Sequence, residues 1–163
     1  MRVPWLPVVA GGLAAMLGGA GLIRAAVAQP PATASSAGPL VVTDPYVRAP
    51  VPPSRTAAAY FTVDNTAGTD DRLISVETAA GATAVLHTLS PDGSMNPAPN
   101  GVVIPAHSKL VLATGKGHVM IEHVYGTLRP GERVRLELDF RRAGQLDVAA
   151  PVIAVGAPVP GGH

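Results

Sequence analysis

An all-β domain, either a β-sandwich or a Greek-key barrel, is what this sequence predicts, on three observations. Short β-rich or alternating segments follow one another along the chain, with Gly, Pro, Asn or Asp between them. One of them, Arg133-Val134-Arg135-Leu136-Glu137-Leu138-Asp139-Phe140, alternates without a break, the pattern of a half-buried antiparallel strand. No comparable stretch carries a helical period.

Taken in chain order, residues 1–28 read as an export segment. One early positive charge at Arg2 is followed by an uncharged run rich in Ala, Gly, Leu and Val as far as Ile23, and Ala26-Val27-Ala28 forms an A-x-A site just before Gln29. Cleavage is the expected fate. Retention as an N-terminal membrane anchor is the alternative, because the apolar run is about long enough to span a bilayer. A lipid-modified anchor is not expected, since the sequence contains no cysteine. Residues 29–39 are rich in Pro, Ala and Ser and lack charge and aromatic rings, which reads as a flexible linker. The folded domain is expected over 40–155, long enough to build a core without disulfides. Its strand candidates are TAAAYFTVDNT, DRLISVET, ATAVLHTLS, SKLVLATG, HVMIEHV, ERVRLELDF and LDVAAPVIAV. Seven or eight strands at this spacing are what a sandwich or barrel requires. Residues 156–163 read as a flexible tail.

Composition removes several functions. Twelve basic and eleven acidic residues leave a net charge of +1, and apart from Arg141-Arg142 the basic residues are scattered, so no nucleic-acid partner is expected. The chain has no G-x-S-x-G elbow, no H-E-x-x-H and no phosphate-cradling glycine loop. Its acids fall in turns (Asp64, Asp70, Asp71, Asp92) or on exposed strand faces (Glu137, Asp139), where solvation accounts for them. Catalysis is therefore not expected.

Soft-metal binding is a different matter. His87, Met95, His118 and Met120 lie in or beside strand candidates in the middle of the domain. Neutral imidazole and thioether suit Cu(I), whereas Ca²⁺ and Mg²⁺ demand oxygen ligands and Zn²⁺ more often recruits a thiolate or carboxylate. A lone methionine usually fills core and a lone histidine is usually hydrogen-bonded or solvated. Strand phase argues otherwise here. In the segment GHVMIEHV, Val119 and Ile121 share one face, and His118, Met120 and Glu122 share the other, so Met120 falls on the polar side of its strand. His107, in the turn PAHSK, and His123, on the strand face opposite His118, read as structural or solvated. His163 ends the tail and could capture metal only transiently.

The order DPYVRAPVPPSRTAAAYFTVDNTAGTDDRLISVETAAGATAVLHT, SPDGSM, NGVVIPAHSKLVLATGKGHVMIEHV and LRPGERVRLELDF resembles the PCuAC family of periplasmic or cell-surface copper chaperones, from Asp44 to Phe140. The family fingerprint is a histidine, a methionine after a glycine-containing turn, and a later H-x-M pair. The resemblance implies a cupredoxin-like β-sandwich that binds Cu(I) outside the cytoplasm as a monomer. It also implies delivery to an acceptor protein, such as the copper centre of a cytochrome c oxidase subunit or another chaperone. Carried over by position, His87 matches the first histidine, and His118 with Met120 match H-x-M. Counting the family spacing back from His118 lands on Asn96, next to Met95. Met95 is taken as the ligand, on the expectation that the shortened turn SPDGS shifts the register, and Asn96 is the alternative. Glu122 stands where many members carry a further methionine. A β-sandwich module for adhesion or interaction, without metal, is the competing reading. An electron-transfer cupredoxin would require a cysteine ligand, which this chain lacks.

Overall fold

The computed structural model describes residues 34–160. The expected export segment, the first residues of the expected linker and His163 lie outside the described residues. Eleven strands and no helix occur within them: β1 (Ser35–Ala37), β2 (Leu40–Arg48), β3 (Ala57–Asn65), β4 (Asp71–Glu77), β5 (Thr83–Leu89), β6 (Met95–Pro97), β7 (Val102–Ile104), β8 (Ser108–Leu112), β9 (Gly117–Glu122), β10 (Arg133–Phe140) and β11 (Gly144–Ile153).

The strands hydrogen-bond in the order β6-β5-β9-β3-β2-β11-β10-β4-β7, with β1 added to β2 and β8 to β3. The pairing of β11 with β2 is parallel, at Val152 with Val47 and Ile153 with Arg48. The other described pairings are antiparallel. The result is a curled, mixed, all-β sheet of the cupredoxin-like kind. Its inner face is written in the alternation of the sequence. In β3, Ala57, Ala59, Phe61, Val63 and Asn65 are buried while the residues between them are partly exposed. In β10, Val134, Leu136, Leu138 and Phe140 are buried in the same way. All of these except Asn65 join Leu40, Val42, Leu73, Ile104, Val119 and Ile121 in one core cluster. Burial of this aliphatic face is the main force holding the curl closed.

The structure departs from the sequence expectations in several places. Ser35–Ala37, assigned to the flexible linker, pairs with Leu40–Val42 through a turn at Gly38. Three residues add too few side chains to give a pattern, yet their backbone groups complete a hairpin. Asp71, expected to be solvated in a turn, is buried at the start of β4. Its carboxylate accepts hydrogen bonds from the backbone N–H groups of Arg72 at 2.7 Å, Arg142 at 2.9 Å and Ala143 at 3.0 Å. It thus ties the β10–β11 turn to β4. His123 lies beyond the end of β9, exposed and with φ of 52°, rather than on a strand face.

Candidate metal site

The register of β5 against β9 sets His87 directly opposite His118, and Val85 opposite Met120. Directly paired residues share a face, and residues two apart along a strand share it too. His87, His118 and Met120 therefore stand on the outer face, opposite the one that carries Leu86, Val119 and Ile121 into the core. The two imidazole rings are stacked, with centroids 5.2 Å apart and planes inclined by 12°.

Met95 lies on the edge strand β6, where it pairs with Leu89, while Asn96 pairs with Thr88 and Pro97 with His87. Leu89 is two residues from His87, so Met95 falls on the histidine face and Asn96 on the opposite one. The turn that precedes β6 explains this register. Ser90 and Ser94 close it through the Ser94 carbonyl at 2.8 Å, the Gly93 N–H bonds back to Ser90 at 2.9 Å, and Gly93 has φ of 84°. Asp92 accepts from both the N–H and the hydroxyl of Ser94, which holds its carboxyl below the usual range. Asn96 is engaged elsewhere, donating to the hydroxyls of Ser90 and Ser94 at 2.9 and 2.8 Å.

His87 is 9% exposed, and its Nδ1 lies 3.2 Å from the Val85 carbonyl. Donation from Nδ1 to that carbonyl leaves Nε2 as the lone-pair nitrogen for a metal. Met95, His118 and Met120 are all half-buried. Glu122, next along the same face of β9, accepts a hydrogen bond from the Thr83 hydroxyl at 3.0 Å. Among the described residues no cluster of three or more His, Cys, Asp or Glu occurs that could hold a metal. The side chains that share this face are two imidazoles and two thioethers, which as candidate donors make a soft set without thiolate. His107 is exposed in its turn with φ of 53°, away from these donors in sequence and element.

Sequence reasoning did not single out the rings beside the site. Tyr60 of β3 stands on the same outer face, its centroid 6.2 Å from that of His118. Tyr46 of β2 stacks on Tyr60 at 4.9 Å, and the Arg48 guanidinium lies 5.7 Å over Tyr46. Alternation in AAAYFTVD already put Tyr60 on the non-core side of its strand, a signal that could have been used. Gly117 precedes His118 for a steric reason, since a Cβ there would come within 2.9 Å of the His87 carbonyl oxygen.

Burial pushes the His118 imidazole below its ordinary value, and the facing His87 adds to the shift. Below the ordinary value of 6.5, the unfolded chain accordingly binds more protons than the folded one. This contribution to apo stability is complete above that pH and is lost as the pH falls toward the depressed folded value. Thermal melts of the apo protein should show a stability decline on acidification from pH 6.5 that is shallower in His118→Gln. Parallel profiles for the two proteins would refute it.

The family model described as LpqE-like matches residues 40–152. A curated relative, "Putative lipoprotein Lxx21020" of Leifsonia xyli subsp. xyli, is 32% identical over 98 residues. The match spans 58% of this chain and 59% of that relative, so the chain covers less than two thirds of its length. Among solved structures, the copper-bound PCuAC domain from PmoF2 superposes with a TM-score of 0.67 at 25% identity, over 75% of this chain and 98% of that one. The Cu(I) form of DR1885 from Deinococcus radiodurans superposes with a TM-score of 0.59 at 28% identity, over 79% of this chain and 83% of that one. The strand order, the outer-face His and Met residues and these matches lead to one assignment: the chain belongs to the LpqE-like family and its folded region is a PCuAC-type domain.

Proposed function

We propose that the protein is an exported Cu(I) metallochaperone that holds the ion between His87, His118, Met120 and Met95 and passes it to an acceptor protein. The observation that carries this reading is the direct cross-strand pairing of His87 with His118, their rings 5.2 Å apart, with both methionines on the same sheet face. The copper-bound form of the PmoF2 domain and the Cu(I) form of DR1885, both similar to this chain in structure, support it. Export to the periplasm or cell surface is supported by the sequence of residues 1–28 and by the lipoprotein names of the relatives, although this sequence itself contains no cysteine.

The chemistry suits a carrier. Two neutral imidazoles and neutral thioethers bind Cu(I) without the charge attraction of a thiolate, so each bond can be exchanged singly for one from an incoming donor. The site lies on an outer sheet face, where an acceptor's own His, Met or Cys side chain can approach before the last donor leaves. A cytochrome c oxidase subunit or another copper chaperone would be such an acceptor, and one ion per monomer is the expected load.

Competition between the protein and a chromophoric Cu(I) chelator tests the reading. Binding of about one Cu(I) per chain, with Zn²⁺ held far more weakly, is the expected result. Met120→Ile keeps bulk and β-propensity but removes sulfur, and Met95→Leu does the same on β6. Each should weaken Cu(I) retention about 10-fold with little change in melting temperature. Wild-type affinity in Met95→Leu, with one thioether in the X-ray absorption spectrum, would reduce the site to His87, His118 and Met120.

A further inference from the structure

We infer that Tyr60 is a positioning residue for the His118 ring, braced from behind by Tyr46 and Arg48. The inference rests on the copper site proposed above and names what holds that site in shape.

The two imidazoles are restrained in different ways. His87 is fixed by the approach of its Nδ1 to the Val85 carbonyl. Among the described residues His118 is held by ring contacts, with Tyr60 on one side and His87 on the other. An imidazole without a hydrogen-bonded nitrogen has neither its tautomer nor its ring rotation set by a partner. The orientation of His118 then rests on the two rings that flank it, and of these Tyr60 is the one that is not itself a candidate ligand. No other residue of β3 can substitute, because its neighbours on that face are Ala58, paired with Met120, and Thr62.

Tyr60 is itself held. Tyr46, 6% exposed, stacks on it with planes inclined by 22°, and the strands that carry the two rings are paired at this position. The Arg48 guanidinium also lies over the Tyr46 ring, 5.7 Å from its centroid, and donates to the carbonyls of Ala154 at 3.2 Å and Ala157 at 3.3 Å. Four rings, Tyr46, Tyr60, His118 and His87, thus run in sequence across four neighbouring strands, β2, β3, β9 and β5. The row is anchored at one end by a cation bound to the segment after β11. At its other end stands the hydrogen-bonded His87. A ring held in this way enters the copper site already oriented, which reduces the rotamer freedom lost on binding.

The test uses the full chain with Tyr60→Leu and Tyr60→Phe, each measured by Cu(I) competition and by NMR of the ¹⁵N-labelled histidine rings in the apo state. Tyr60→Leu should weaken Cu(I) binding about 10-fold and should shift and broaden the His118 ring signals. Tyr60→Phe, which keeps the ring and loses only the hydroxyl, should match the wild type in both. Wild-type behaviour of Tyr60→Leu overturns the inference, and so does an equal loss in Tyr60→Phe, which would assign the effect to the hydroxyl. Should Tyr60→Leu fail to fold, Tyr46→Leu is used instead, with broadened His118 signals expected and unchanged signals overturning the brace. If the wild type binds no Cu(I), the proposed function fails. The apo ring signals still decide the positioning role.

Discussion

Replacement of His118 by alanine is expected to lower Cu(I) affinity by at least about 100-fold, more than the loss of a supporting residue around a metal site. The residue stands at the centre of the candidate donors, opposite His87 and two positions from Met120 on one face of β9. Its removal deletes one nitrogen donor and also takes away the ring that packs between Tyr60 and His87. The fold should survive, because the core side of β9 is made by Val119 and Ile121, which are untouched. Chelator competition reads the affinity, and far-UV circular dichroism with a thermal melt reads the fold. Unchanged affinity in a folded His118→Ala protein would remove copper from this face of the sheet.

A substitution in the core should give the opposite result. Phe140 ends β10 and is 1% exposed, packed in the common cluster on the far arm of the sheet from β5 and β9. Phe140→Ala should destabilise the domain by about 3–5 kcal/mol, through lost burial and the cavity left behind. That is a large share of the ~5–15 kcal/mol typical of a domain, and it should lower the melting temperature by on the order of 10 °C or more. Below that transition, copper affinity per folded molecule should match the wild type, because the altered strand carries none of the donors. A melting temperature within a degree or two of the wild type, on the scale of a surface change, would mean that the core relaxes around the loss.

These two substitutions also mark what was legible in the sequence. β10 could be read residue by residue, since eight residues of strict alternation leave one choice of inner face. The phase of His118 and Met120 was legible for the same reason, within the six residues of β9. Met95 was not. Its face depends on how a turn of Ser, Asp and Gly closes, and a one-residue change of closure exchanges Met95 with Asn96. Tyr46 was hidden by the irregularity between Thr43 and Tyr46, where Asp44 adopts φ of 53° and breaks the alternation of β2. Asp71 looked like an ordinary turn acid because two of its three partners lie at Arg142 and Ala143, and no local pattern encodes a contact so distant in the chain. The short strands β1, β6 and β7 offer three residues each, too few to show a period.

The placement of Met95 on β6 has a kinetic consequence. That strand is three residues long and lies at the end of the sheet, hydrogen-bonded to β5 on one side only, whereas β5 and β9 are flanked on both sides. Terminal strands open at far lower free energy than interior ones, in fluctuations that leave the rest of the fold intact. On the proposed site, the four donors would then let go in a fixed order rather than together. Fraying of β6 would withdraw one thioether and leave the ion on His87, His118 and Met120 with a vacant coordination position facing solvent. The rate of metal transfer would be set by the opening of a hairpin, and amide hydrogen exchange at Asn96 and Ala98, the residues that face β5 through their backbone, would run at the same pace as copper release.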